Sequence, residues 1–444
     1  MYQATNRATE PLFPELFPWS GKLNEDNEWI KLEKIIPWET LEGIYGRYFS
    51  LNKGRPAKDG RLIIGLLIVK HKKGLSDRRL VEELLENIYL QYFCGFRRLA
   101  EKKILHASSL TKIRKRLGKE FFARFEMEII GKLVKDKIIK PKGLMVDATV
   151  VPANINYPTD HKLINKAREW VCEKISKIRK VIGLKNPIRT YKRVARKVFL
   201  SFQKKRRKTR AVIEVTRNKL LRFLRRNLSQ LTELLKAAPA DLARKLQFKY
   251  ETARTIYEQQ KQMAKEKVRH IKNRVVSFHL PHIRPIVRGK DGKDVEFGPK
   301  AVLSWVNGFG FLDKFSFEAF NEACFLSDSL RAYKERFATL PPDVTADQLY
   351  GTRWNRKLLA KIKIGSAFKS LGRKARDDLA RIIWVKKKQR ARNQMEGIIG
   401  NAKEHYGLDR ILYRIKDGEE IWTRLSLVAM NLTTAAKRAQ TQTA

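Results

Sequence analysis

The side chains best suited to chemistry in this chain are three carboxylates far apart in sequence: Asp147, Asp347 and Glu396. Asp147 is the only charge in Gly143-Leu144-Met145-Val146-Asp147-Ala148-Thr149-Val150-Val151-Pro152, a run with the texture of a strand. A lone carboxylate there costs several kcal/mol to desolvate unless it is paired or binds a metal. Asp147 therefore reads as a functional group, a paired structural aspartate or a strand-end residue in solvent. Asp347 is delivered by a short strand, Asp343-Val344-Thr345-Ala346. Glu396 falls in a polar helix, Lys386–His405, with Gln389 and Arg392 before it and Lys403 after it. At about 100° per residue these four share one stripe beside the apolar Met395, Ile398 and Ile399. Gly397 and Gly400 each lower helix propensity by about 1 kcal/mol relative to Ala, which suits a close approach of something large. Taken alone, Arg392 and Glu396 are equally an exposed i,i+4 pair contributing ~0.2–0.5 kcal/mol. Brought together, three carboxylates repel one another and want a divalent cation. Mg²⁺ prefers such hard oxygen ligands plus water and substrate phosphate. Two ions ~3.5–4 Å apart activate an attacking oxygen and stabilise a leaving one in phosphoryl transfer. Spacing alone leaves open whether the three converge.

The elements that must position these groups are readable in outline. The chain to about Lys140 is helical, with Ser76 as an N-cap before Leu80, Leu84 and Tyr89. A second helix opens at Ser108 or Ser109 and places Leu110, Ile113 and Leu117 on one face. Lys112, Arg114, Lys115 and Arg116 cover the rest, a layout that suits a helix-turn-helix-like unit meeting phosphates or a bundle helix with a solvated basic face. Residues 161–274 are helical and hold 35 Lys+Arg against 8 Asp+Glu, a net of +27. Lys204-Lys205-Arg206-Arg207-Lys208 is the densest run. Leu220, Leu221, Leu224, Leu228, Leu231, Leu234 and Leu235 form an amphipathic stripe, and Pro239 breaks it before another helix. So large a local excess predicts electrostatic contact with DNA. Short strands return at Val275–Phe278, Ile283–Val287, Val295–Phe297, Ala301–Val306 and Phe309–Phe315, with turns at Gly289-Lys290-Asp291-Gly292 and Asn307-Gly308. Helices are expected near Ser327–Phe337 and Trp354–Ile362, a weak strand at Ile364–Phe368 and an apolar segment at Ile411–Ala436. Alternation of strands and helices after Gly143 points to a mixed α/β domain interrupted by a helical insertion.

Composition narrows the partners. The 444 residues carry 95 Lys+Arg and 46 Asp+Glu, a formal net charge of +49, while 43% hydrophobic content excludes a simple disordered basic tail. Such a charge repels itself unless a polyanion answers it, so nucleic acid is the first partner and a membrane surface the second. The apolar run Leu62–Val69, broken by Gly65, is too short to span a bilayer, and the N-terminus does not read as a signal peptide. Cys94, Cys172 and Cys324 are scattered, which suggests neither a disulfide framework nor a zinc site. The expectation is a soluble cytoplasmic protein of a reduced compartment that touches DNA or RNA and not a membrane. Asp313, Glu318 and Glu322 read as structural or surface acids, His279 and His282 as core or surface histidines, and Trp305 and Trp354 as core rings.

Several motifs together resemble a known family. They are Phe93-Cys94-Gly95-Phe96, Ser109-Leu110-Thr111 to Arg116-Leu117-Gly118, and Asp147-Ala148-Thr149 to Asn154. Further along come Pro281-His282 to Arg288-Gly289-Lys290, Glu296-Phe297-Gly298, and Ala346-Asp347 with Tyr350, Thr352-Arg353 and Asn355-Arg356. Arg392-Asn393, Glu396-Gly397 and Tyr406-Gly407-Leu408 complete the set. This arrangement resembles the DDE transposases of bacterial insertion sequences, specifically the insertion sequence five group within the insertion-sequence-four-like superfamily. The superfamily's Y-x2-R-x3-E-x6-K signature maps onto Arg392, Glu396 and Lys403, but Gln389 stands where Tyr is expected. The resemblance implies an α/β fold: a ribonuclease H-like catalytic core (141–160 and 275–444), a helical N-terminal DNA-binding or dimerisation domain (1–140) and a long basic helical insertion (161–274). It implies that Asp147, Asp347 and Glu396 are both catalytic and metal-binding, holding two Mg²⁺ ions, with Mn²⁺ as a substitute. The chemistry implied is strand cleavage at terminal inverted repeats followed by strand transfer into target DNA, in a synaptic complex built on a homodimer. Arg392 and Lys403 would contact phosphate near the cut. Lys112, Arg114, Arg116, Lys204, Lys205, Arg206 and Arg207 are the further DNA-binding candidates. The alternatives are a metal-dependent nuclease that does not join ends and a non-catalytic DNA-binding protein derived from a transposase.

Overall fold

The structure, a computed structural model, describes Tyr2 and residues 23–50, 52–97, 99–100, 102–268, 270–290, 293–318, 320–371 and 379–443. The expected turn residues Asp291 and Gly292 lie outside the described residues. The chain forms two compact units, one of Met1–Ala153 with Pro299–Ala444 and one of Asn154–Gly298.

The first unit is built on a five-stranded mixed sheet. Its strands are β1 (Leu144–Val150), β4 (Lys300–Val306), β5 (Phe309–Ser316), β6 (Asp343–Ala346) and β7 (Gly365–Ser366), in the order β5-β4-β1-β6-β7. β1 pairs antiparallel with β4 and parallel with β6, β4 pairs antiparallel with β5, and β7 runs parallel to β6. The β4–β5 turn uses Asn307 and Gly308 at φ of 53° and 83°, the doubly positive geometry that an Asn-Gly hairpin favours. Around the sheet stand α1 (Glu28–Ile35), α2 (Trp38–Gly46), α3 (Gly60–Lys73), α4 (Asp77–Glu86), α5 (Ile88–Phe93) and α6 (Ala107–Lys135). After the sheet's hairpin come α11 (Leu326–Phe337), α12 (Arg353–Lys361), α13 (Leu379–Tyr406) and α14 (Gly418–Thr443). The N-terminal helices and the sheet share one hydrophobic core, which runs from Trp29 through Phe121 and Trp305 to Leu432. The apolar run Leu62–Val69 lies within α3 and is buried throughout, so it is a core helix. Among the described residues no helix is long and apolar enough to cross a membrane.

The second unit comprises α7 (Asp160–Val181), α8 (Lys192–Lys204), α9 (Arg210–Ala237), α10 (Ala240–Glu266) and a separate two-stranded sheet of β2 (Pro285–Lys290) and β3 (Lys293–Phe297). The leucine stripe of α9 packs against Ile164, Val171 and Ile175 of α7 and Ile256 of α10, so this unit has a core of its own.

Several expectations change. Val275–Phe278 is irregular, not a strand. The segments matched to the family's middle strands, Pro281–Lys290 and Glu296–Gly298, contribute to the β2–β3 hairpin of the second unit and add nothing to the five-stranded sheet. Residues 94–106 separate α5 from α6, too long a connection for a helix-turn-helix. Arg114 does not face solvent: it is 3% exposed, clamped to the Asp77 carboxylate and stacked 4.3 Å from the Tyr413 ring. Trp305 is a core ring as expected, but Trp354 is 59% exposed on α12.

Candidate active site

Asp147 and Asp347 are brought side by side by strand pairing. β1 and β6 run parallel with Leu144 opposite Val344, Met145 opposite Thr345 and Val146 opposite Ala346. One further step along this register sets Asp147 beside Asp347, on the same face because side chains alternate along both strands. Asp347 is the first residue past β6, and its Oδ1 accepts from the Leu349 N–H at 3.2 Å, which caps the short 3₁₀ turn Gln348–Tyr350. The Asp147 Oδ1 accepts from the Ala148 N–H at 2.8 Å. Burial raises the Asp147 carboxyl above the usual carboxylate range, and the charges of Glu322 and Asp347 push the same way against the Ala148 N–H and Arg392.

Glu322 is the member that sequence reasoning set aside. It opens a 3₁₀ turn, Glu322–Phe325, and pairs with Lys300 at 2.7 Å. Asn355 ties this turn to the one after Asp347 by donating to the Ala323 carbonyl at 2.9 Å and the Tyr350 carbonyl at 2.8 Å. Tyr350 is fully buried, and its hydroxyl has no hydrogen-bond partner among the described residues. Burial and then the charges of Glu322, Asp147, Asp313 and Asp347 hold that hydroxyl firmly protonated. No local pattern announces Glu322, because its neighbours in space come from three other segments. Asp313, by contrast, is spent in a buried pair with Arg336 at 2.6 Å, and Glu318, His279 and His282 are exposed.

α13 is fastened to the ends of β6 and β7 by residues spaced along its first turns. Lys388 pairs with Asp343 at 2.6 Å, and the Gln389 amide donates to the Ala346 carbonyl at 3.3 Å and the Ala367 carbonyl at 2.6 Å. Gln389 thus has a definite positioning task at the place where the resemblance leads one to expect Tyr. Arg392, one turn on, lies 3.7 Å from Asp347 Oδ2. Glu396 follows on the same meridian but is exposed and makes no hydrogen bond or ion pair among the described residues. Its charge is not among those felt by Asp147. Lys403 is partly buried further along the helix, and beside Gly397 and Gly400 lies open space. Among the described residues no group of three His, Cys, Asp or Glu side chains is arranged to hold a metal ion. The structure therefore joins Asp147, Asp347 and Arg392, adds Glu322, and leaves Glu396 on the outer stripe of α13.

The remaining candidates divide by exposure. Lys112 is exposed, as are Lys204, Lys205, Arg206 and Arg207 between α8 and α9. Arg116 is exposed too, though it donates to the Tyr48 carbonyl at 3.1 Å and lies over the Phe49 ring. Arg114, as described, is internal.

Comparison with known proteins bears on these positions. Residues 17–116 match the family described as a transposase domain (DUF772), and residues 352–436 match the family described as a transposase DDE domain. The second match spans Arg392, Glu396 and Lys403. The chain is also 33% identical over 152 residues to an uncharacterized protein, ORF8 in the nfe locus of Rhizobium meliloti, covering 34% of this chain and 73% of that one. The chain thus carries a transposase domain and a transposase DDE domain. No solved structure matches it. The N-terminal match covers α1 to α5 and the start of α6, and the DDE match covers α12 to most of α14.

Proposed function

We propose that this transposase cuts DNA strands at the terminal inverted repeats of its own element and joins the freed 3′-hydroxyl to target DNA. The observation that carries this reading is the register of β1 and β6, in which Asp147 lies on one strand and Asp347 just past the end of its parallel neighbour. Numbered within that sheet alone, the strand order is 3-2-1-4-5 with the first three antiparallel, which supports reading the sheet as a ribonuclease H-like core. The donor set suits a divalent cation: two adjacent hard-oxygen carboxylates, one held protonation-prone by burial, whose charges reach a buried tyrosine hydroxyl without a partner among the described residues. Asp147 and Asp347 would hold Mg²⁺ there, with Glu396 as the third carboxylate from α13. Such an ion, when bound, supplies Lewis-acid activation of the attacking oxygen and charge relief at the leaving one.

The chain's own groups do the rest. Gln389 and Lys388 hold α13 against the strand ends, so that Arg392 and Glu396 are presented along the edge where Asp347 emerges. Among the described residues Arg392 makes one long contact, to Asp347, and keeps donors for a phosphate oxygen, which its fork geometry suits. Lys403 adds a point charge further along the same stripe. The open space at Gly397 and Gly400 leaves room for a DNA backbone against the helix.

The test is incubation of the full chain with duplexes carrying the element's ends and Mg²⁺, with every break and join mapped. Asp147→Asn and Asp347→Asn are each expected to abolish cleavage while DNA binding persists. Cleavage that survives either change would remove that residue from the site, and breaks without any joined product would favour a nuclease.

A further inference from the structure

A second charged site lies in the first unit, where the first turns of two helices meet. A cavity of about 510 Å³ is bounded by Ser76, Asp77 and Arg78 at the start of α4 and by Ala107, Ser108 and Thr111 at the start of α6. Its remaining wall is the segment Leu412–Ile415. Both helices point their positive N-terminal ends at this space. Ser76 and His106 cap them through the N–H groups of Arg79 and Ser108. The N–H groups of Asp77, Arg78 and Ala107 meet no acceptor among the described residues.

The side chains around the cavity are out of electrical balance. Lys70 and Arg114 are 4% and 3% exposed, and both are paired to the single carboxylate of Asp77. Two buried cations against one carboxylate leave a buried positive charge, which is costly unless an anion answers it. The Arg114 Nε is buried and without a partner among the described residues. Arg78, Lys115 and Arg414 line the same cavity and are exposed. His71, next to Lys70, is buried, and its ring nitrogens lie 3.1 Å from Ser426 Oγ and 3.3 Å from Tyr413 Oη. Burial, then the charges of Lys70 and Arg114, hold it well below the usual histidine range, so it adds no charge of its own.

We infer that this cavity is a phosphate-binding site that grips a backbone phosphodiester of DNA, distinct from the carboxylate site. Free N–H groups at helix N-termini and the exposed cations Arg78, Lys115 and Arg414 are the groups that would recognise phosphate oxygens. That the phosphate belongs to DNA rests on the transposase reading; that the cavity takes phosphate does not.

The test uses the full chain and Ser108→Asp. The substitution places a carboxylate in the cavity yet favours the first turn of α6, so the melting midpoint should not fall. Inorganic phosphate, followed by its phosphorus NMR line width, should bind the natural chain and lose about tenfold in affinity with Ser108→Asp. Binding of a labelled duplex should weaken by a similar factor, and the slope of log affinity against log salt should fall by about one. Asp147→Asn should change neither readout. Arg414→Ala, in the exposed segment, should lower both affinities in the same sense and serves if the first variant fails to fold. Equal phosphate line widths for natural chain and variants would overturn the site. Unchanged duplex affinity and slope, with phosphate binding lost, would overturn its assignment to DNA. Phosphate binding by a chain that binds no duplex would sink the transposase reading and leave the phosphate site standing.

Discussion

Asp147 and Asp347 owe their meeting to strand register, whereas the third carboxylate is a matter of which neighbour acts. Glu322 faces Asp147 electrostatically but is committed to Lys300 at 2.7 Å; Glu396 is uncommitted and exposed. If Glu396 is the ligand, Glu396→Gln should cost about a thousandfold or more in cleavage, the equivalent of several kcal/mol of lost charge stabilisation. Glu322→Gln acts through the field at Asp147 and through the weakened Lys300 pair, and should cost roughly tenfold. A larger loss for Glu322→Gln than for Glu396→Gln in a single-turnover cleavage assay would make Glu322 the ligand instead. Asp147 itself has a stability signature. Its carboxyl titrates above the unfolded value, so its charged form is the disfavoured one, and the cost appears as pH rises through the raised folded value. Asp147→Asn, in chelator-treated protein, should therefore melt higher than the natural chain at neutral pH. The gap should close towards pH ~4, the ordinary Asp range. A variant that melts lower at neutral pH would show that the carboxylate is not strained there.

At the scale of elements, α3, α4 and α6 are joined by one knot: Lys70, Asp77 and Arg114. Burial alone would raise the Asp77 carboxyl, but the hydrogen bond and charge of Arg114, with the charge of Lys70, outweigh it and hold it below the usual range. A lowered acid stabilises the fold above its unfolded value and loses that contribution as pH falls through the folded one. Asp77→Asn leaves two buried cations unanswered and should cost about 3–5 kcal/mol at neutral pH, a loss that shrinks in acid below pH ~4. Chemical denaturation at the two pH values checks it; a pH-independent loss would mean a packing effect. Most of these helices were legible, since caps such as Ser76 and stripes such as Leu220 to Leu234 are local signals. Arg114 was not. At about 100° per residue it lies only ~40° from Leu110, on the buried face, and what permits a charge there is Asp77, 37 residues away in sequence. Trp354 misleads for the converse reason: α12 buries only Asn355 and Leu359, so its aromatic ring gains no cover from its own helix. The short strands β6 and β7 fall where the sequence places them, at Asp343–Ala346 and within Ile364–Phe368, but their pairing partners and the turn holding Glu322 are set by distant segments that no local periodicity reveals.

For the molecule as a whole, the positive charge is unevenly shared. Asn154–Gly298 holds 39 Lys+Arg against 12 Asp+Glu, while the rest of the chain holds 56 against 34 over about twice the length. The leucine core of α7, α9 and α10 gives the second unit an interior of its own, so its surface charge is not needed to fold it. Unanswered, that charge destabilises the compact state by self-repulsion. A surface whose charge opposes folding but favours a polyanion predicts opposite effects on stability and on binding when the charge is removed. Lys204, Lys205, Arg206 and Arg207 are exposed together, and replacing all four by Gln should raise the melting midpoint at low salt. The same change should weaken binding to any duplex regardless of sequence. It should also reduce the slope of log affinity against log salt by up to about 3–4, close to 0.9 for each lost phosphate contact. Phosphate contacts position DNA without reading it, so discrimination between the element's ends and unrelated duplex should stay constant while both affinities fall. Anisotropy titrations at three salt concentrations on both duplexes measure slope and discrimination at once. An unchanged slope would make the run a solvated face, and a selective loss on the element's ends would move it from electrostatic grip to sequence recognition.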